Sequence, residues 1–415
     1  MVNGTRMLQL KRIALFSAVF VVIATLPNRS ALSAAIEWGN VGSTFSTGAN
    51  WVGGTAPANS TVTDIGSFGS TGASAVHPSL TAGRSINGIT FLSGAFSYTF
   101  GATGGSTLLI GTGGIVDSAA NTETFGSTFT IATSATQSWT SNGGSKLVFD
   151  GVVDINNNAA TARVLTLNGA GDFTFSGTSV IKNSNAGSTG SLTYSGSGTL
   201  TLAGANTYTG NTTISGGGTT LVSNTAGSGT GTGNVTVNGS GTTLGGTGTI
   251  SGTVTLGNTT AGAILNPGPK GTAGTSASVG TLTTGAVTLT GANTVHIDAF
   301  GTATTAWDKL VSTGAISLGT TSTLDVTIAS GLTFNPGDTY VLLSGTSLSG
   351  TFSGIADNQT VTFSGYTFTA DYTTTGFDLV AVPEPSTWIG GALALLAVGL
   401  MSRKRFIKTA ETLKA

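Results

Sequence analysis

The chain has 415 residues, 65 glycines, no cysteine and a formal net charge of −1. The lack of cysteine excludes a disulfide framework and a lipid anchor on a cysteine thiol, so an exported form must be stable by other means. Glycine is about twice its usual ~7% share, yet 19 phenylalanines and many Val, Leu and Ile supply a core, which argues against a low-complexity disordered chain.

The N-terminal end reads as a signal peptide over residues 1–35. Arg6, Lys11 and Arg12 precede an apolar stretch at 13–26, and small residues come after it at Ala31, Ser33, Ala34 and Ala35. A positive segment, an apolar segment and a small-residue site are what a secretory signal requires, with cleavage expected between Ser33 and Ile36.

Between Ile36 and Val382 the charge balance changes. Nine of the fifteen Lys and Arg lie in the two ends of the chain, leaving six against fourteen Asp and Glu, a net charge of −8 for the body. Nucleic-acid binding needs clustered basic residues, which this body lacks.

The body alternates apolar residues with Thr and Ser over short runs. Examples are Thr199-Leu200-Thr201-Leu202, Asn234-Val235-Thr236-Val237, Thr253-Val254-Thr255-Leu256 and Thr323-Leu324-Asp325-Val326-Thr327-Ile328. Period-two patterning predicts half-buried strands, and turns such as Gly216-Gly217-Gly218 separate them. No amphipathic helical window interrupts the pattern, so the body is expected to be all-β. A sandwich needs longer strands with a distinctive core, and a membrane barrel needs strands of ~10 residues. Short strands with glycine-dense corners favour a β-solenoid, whose tight corners need backbone at positive φ. At ~20–25 residues per rung and ~4.8 Å between rungs, about fifteen rungs and roughly 70 Å are expected.

At Gly198 the pattern becomes specific. The run GTLTLAGANTYTGNTTISGGGTTLVS at 198–223 resembles the autotransporter-associated β-strand repeat, with Gly204 and Asn206-Thr207-Tyr208-Thr209-Gly210 between two strands. Segments 244–268 and 307–328 resemble the stretch on the C-terminal side of such repeats in large passenger domains. Segments 38–68 and 85–100 resemble the opening of related exported proteins. The resemblance implies a right-handed parallel β-helix, read as an N-terminal solenoid region at 36–197, the repeat and its next rungs at 198–268, and a C-terminal solenoid region at 269–380. Autotransporters end in a membrane β-barrel, whereas this sequence carries an apolar segment and a basic tail. Within the repeat, Tyr208 is expected to cover a rung edge and Asn206 to cap a turn through its amide.

Candidate chemistry in the body is sparse. His77 precedes Pro78. His296 and Asp298 stand two apart on an expected strand, hence on one side, with Asp308 close in sequence. Such a grouping can serve acid–base chemistry or metal binding, but a solvated strand face is the plainer reading. Asp150 and Asp154, then Asn156, Asn157 and Asn158, form an oxygen-rich stretch, read as a polar turn before a weak Ca²⁺ site. No Ser elbow is set between strand and helix, and the glycines at 101–105 lack the Lys and helix of a phosphate loop. Neither catalytic residue, metal site nor cofactor is assigned. A polysaccharide-binding surface would need exposed aromatics in a row, and the sequence does not place Trp38, Trp51, Trp139 and Trp307 on one face.

The end of the chain is the most specific part. Pro383, Glu384 and Pro385 hold the backbone extended. Next come an uncharged apolar run at 388–401 and then Arg403, Lys404 and Arg405. As a helix the run spans ~21 Å, shorter than a ~30 Å hydrocarbon core. Trp388 suits one interface and the basic cluster the other, with the C-terminus cytoplasmic. This order resembles the PEP-CTERM sorting signal. The resemblance implies recognition at Pro383, Glu384 and Pro385 by an exosortase. It also implies an inner-membrane anchor through 388–401 with a membrane stop at Arg403, Lys404 and Arg405, before transfer to the envelope, surface or matrix of a Gram-negative bacterium. The signal is read at 381–405 and a cytoplasmic tail at 406–415. The expected function is a non-catalytic exported β-helix protein, adhesin-like or associated with biofilm or exopolysaccharide. The alternative is a β-helix that binds or degrades polysaccharide.

Overall fold

The computed structural model describes residues 34–382, apart from 159, 258–261 and 272–273, together with 398 and 400. The signal segment before Ala34, the Pro383-Glu384-Pro385 motif, most of the 388–401 run and the Arg403-Lys404-Arg405 cluster lie outside the described residues. Among the described residues no helix is long and apolar enough to cross a membrane.

The body is an all-β parallel solenoid of about eleven turns. Two long sheets face each other. In the second, eleven strands run in sequence order from Ser79–Leu80 to Thr323–Ile328. Each pairs in parallel with the strand one turn on. Lys146 pairs with Asp172, Thr199 with Thr219, and Thr294 with Thr323. The turn from Thr199 to Thr219 has 20 residues, but those from Lys146 to Asp172 and from Thr294 to Thr323 have 26 and 29, longer than expected, which lowers the rung count. The strand Ala34–Glu37 opens the first sheet and pairs with Asp64 to Ser67, so the expected cleavage window reaches into a body strand.

Alternation sorts the side chains as expected. In Thr199–Leu202, Leu200 and Leu202 are wholly buried and the threonines half-buried. Parallel register then stacks like on like, because the residue one turn later occupies the same place ~4.8 Å along the axis. Phe100, Phe125, Phe149 and Phe175 form a column inside the second sheet, with successive ring centroids at 4.8, 5.1 and 4.8 Å. Offset and stacked rings at this spacing add to their burial energy. Leu202 and Val222 continue the column.

Both ends of this core are closed. At the N-terminal end, residues 38–51 fold back across it. Trp38 bridges Trp51 antiparallel, and Trp38, Phe45, Trp51 and Phe68 pack together with centroid separations of 4.9 to 6.3 Å. At the C-terminal end the chain leaves the solenoid. Thr339–Ser344, Gly376–Ala381, Tyr366–Tyr372 and Thr360–Phe363 pair antiparallel in a third sheet. Turns of this sheet meet the last rungs: Leu348 N–H donates to Thr374 O, and Ile328 N–H to Ser364 Oγ. Thr339–Ser344 still pairs in parallel with Lys309–Ser312, but Gly376–Ala381, Tyr366–Tyr372 and Thr360–Phe363 add no parallel rung, the second reason the stack is shorter than expected.

Candidate functional site

His296 stands on Thr294–Ala299, with Val295 and Ile297 turned inward and His296 and Asp298 outward on one side. One turn later Asp325 occupies the same register position. His296 Nδ1 lies 2.8 Å from Asp325 Oδ2, and Nε2 lies 3.4 Å from Asp298 Oδ1. Asp298 is buried, and its Oδ1 also accepts from Gly274 N–H at 3.0 Å. Asp308 sits beneath: its carboxyl accepts from Asp298 N–H at 2.9 Å and from Gly280 N–H at 2.7 Å.

Electrostatics decides what this cluster can do. The Asp298 hydrogen bond, with Asp325 adding, raises the His296 pKa to about 9 against the opposing effect of burial. At neutral pH the imidazole is therefore a cation facing a carboxylate with each ring nitrogen. It has no lone pair to accept a proton from a substrate, so it is a poor general base. Burial pushes Asp308 up to about 8, with its two N–H donors pulling the other way. Among the described residues no three His, Asp or Glu are grouped to hold a metal ion. The arrangement is an ion-pair clamp between two rungs.

Among the described residues Asp150 and Asp154 belong to no group of three acids or histidines that could hold a metal ion. Asp154 is buried and accepts from Asn156 N–H at 3.2 Å and Ser184 N–H at 3.1 Å, and its charge acts on the buried Arg163. Arg163 in turn donates to Thr133 O and to Asn158 Oδ1. Asp154 and Arg163 are thus satisfied within the turn, whereas Asn157 Oδ1 is buried without a hydrogen-bond partner. His77 accepts from Thr99 N–H at 3.1 Å in an exposed loop. Trp38, Trp51, Trp139 and Trp307 are all buried, so these four make no exposed aromatic row.

Two buried acids are not apparent from the sequence. Asp117 and Glu123 point into the core with no exposed surface. Burial, partly offset by a backbone donor to each, raises Asp117 to about 6 and Glu123 to about 8. Glu123 Oε2 accepts from Tyr98 N–H at 2.6 Å. Glu123 holds the position that Leu147 fills one turn on; period two sets it on the inward face with Phe125, a signal that its charge overrides when the sequence is read alone. Asp325 is hidden as a partner of His296 because only the register between turns joins them.

In the repeat, Tyr208 is not at an edge. It is wholly buried, with its hydroxyl 2.7 Å from Thr212 Oγ1. Asn206 joins three successive turns: its Oδ1 accepts from Ile181 N–H at 2.7 Å and its Nδ2 donates to Gly229 O at 2.6 Å. Gly204 turns tightly against the rung below, where a Cβ would overlap Ser179 O.

This stretch is also where the chain is similar to a known family. The model of the passenger-associated-transport-repeat matches residues 192–222, which span Thr199–Leu202, Thr212–Ile214 and Thr219–Val222. No curated protein matches the chain. The repeat and the parallel solenoid together fit a surface-exposed β-helix protein, and the repeat suggests an exported protein of Gram-negative bacteria.

Proposed function

We propose that this chain is a non-catalytic exported β-helix that serves at the cell surface or in the extracellular matrix, adhesin-like or associated with biofilm or exopolysaccharide. The observation that carries this reading is a passenger-type repeat set in a solenoid whose most reactive-looking cluster, His296 with Asp298 and Asp325, is locked in ion pairs. The same reading makes the solenoid right-handed, in line with the strong preference of parallel crossover connections. An exosortase acts on the chain through Pro383, Glu384 and Pro385, after the 388–401 run and the Arg403-Lys404-Arg405 stop have held it in the inner membrane.

Glu384→Ala tests the sorting step. Cells carrying this variant should accumulate the tailed precursor, read as a band heavier than the mature protein. Unchanged removal of the tail would refute exosortase recognition at this motif. Screening the body against polysaccharides for released reducing ends separates scaffold from enzyme, and turnover would sink the non-catalytic reading.

A further inference from the structure

Where the solenoid passes into the third sheet, a pocket of about 430 Å³ is lined by Thr281, Thr304, Thr305, Trp307, Lys309 and Val341. Its volume falls within the ~300–1,000 Å³ of small-molecule sites. The walls are held from behind. Thr281 and Lys309 are register partners on adjacent parallel strands. Thr304 and Thr305 project from a short 3₁₀ turn, Thr304–Ala306. Trp307 is fixed by stacking on Tyr340 at 4.5 Å and by donating Nε1–H to Gly301 O at 3.0 Å. The ordered parts present three hydroxyls, one ammonium and the edges of two apolar side chains.

We propose that this pocket binds a sugar unit of a neutral polysaccharide. Threonine hydroxyls both donate and accept, as sugar hydroxyls do, so three of them around a cavity match a polyhydroxylated ring better than an apolar or purely ionic ligand. Val341 and the Trp307 edge meet the C–H surface of such a ring. Lys309 makes no ion pair or hydrogen bond to another described residue and has donors to give. Charge selects among polysaccharides. A polyanion would approach a body of net charge −8. Beside the pocket Asp378, the register partner of Val341, lies within electrostatic reach of Lys309 and offsets the attraction of that ammonium for an anion. A cationic chain would meet Lys309. A neutral chain avoids both penalties. This inference rests on the exported, surface-facing reading of the body for its choice of polysaccharide, and is independent of the sorting signal.

The test is calorimetric titration of the full chain with cellohexaose, maltohexaose and an alginate hexamer. Binding of a neutral hexasaccharide should be insensitive to salt. It should weaken about tenfold in the double variant Thr304→Ala/Thr305→Ala, on the loss of two hydrogen bonds, and by a smaller factor in Lys309→Ala. Both threonines are exposed, so the double variant should keep the parent's circular dichroism and thermal midpoint. Preference for alginate, no binding of either neutral oligomer, or binding unchanged in the double variant would each overturn the proposal. Binding accompanied by cleavage would support the site while refuting the non-catalytic reading.

Discussion

Asn206 ties Ile181 to Gly229: one side-chain amide accepts from the turn before it and donates to the turn after it, at 2.7 and 2.6 Å. The main-chain ladders of the two sheets hold adjacent strands, and at this corner backbone bonds continue between turns, from Asn206 N–H to Ser228 O and from Thr207 N–H to Ile181 O. The buried amide adds two more bonds and so reaches across three turns.

Replacing Asn206 by Ala leaves a buried N–H and a buried C=O without partners. At ~1–3 kcal/mol for each unsatisfied group, the loss should be about 2–6 kcal/mol. Tyr208→Phe removes only the contact to Thr212 and should cost about 1 kcal/mol. Urea unfolding monitored by circular dichroism ranks the two, and equal midpoints would contradict the clamp.

Phe149 lies between Phe125 and Phe175 in the core column, at 5.1 and 4.8 Å. Truncation to Ala opens a gap in the stack and should cost about 3–5 kcal/mol. Phe149→Leu keeps most of the volume and should cost less. A measured order in which Leu is the worse substitution would mean that a branched side chain does not fit between the two rings and that overpacking outweighs the lost volume.

Gly204→Ala should destabilise more than an average surface change, because the added methyl meets the Ser179 carbonyl in the preceding rung, backbone that has no side-chain freedom to yield. Differential scanning calorimetry should show a lowered midpoint; an unchanged one would show that this corner can open.

His296 gives a pH signature. Its folded pKa of about 9 lies above the ordinary value of 6.5. Its contribution to stability is therefore complete below pH 6.5 and is lost as pH rises through 9. Asp308, raised to about 8 from 3.8, acts in the same sense, favouring the fold while protonated and disfavouring it as pH rises toward 8. The difference between the parent and His296→Asn isolates the first group. Thermal midpoints of the two should converge as pH rises past 9, and a gap that widens instead would refute the ion-pair clamp.

The strands are legible in the sequence because side-chain alternation is local. Thr199-Leu200-Thr201-Leu202 announces which residues face inward without reference to anything else. The rung count is not, since it depends on corner lengths and on where the parallel stack ends. Nothing in the alternation of Thr360–Phe363 or Tyr366–Tyr372 distinguishes an antiparallel strand from one more rung. The partners of His296 are half legible: Asp298 comes from period two, whereas Asp325 comes only from a register 29 residues away. Tyr208 reads as a surface residue because a tyrosine among Thr and Asn looks polar, but its ring fills the core while its hydroxyl is satisfied by Thr212.

The closed ends set a limit on growth. An open solenoid could join another copy head to tail, each new molecule covering apolar side chains left bare by the last. Here Trp38, Phe45 and Trp51 at one end and Phe352, Phe368 and Phe377 at the other are already covered. End-to-end joining would hide almost no fresh apolar area, so its driving force is missing. Within the described residues the solenoid is a unit of fixed rung count, so any contact between copies that gains from apolar burial would have to use its sides.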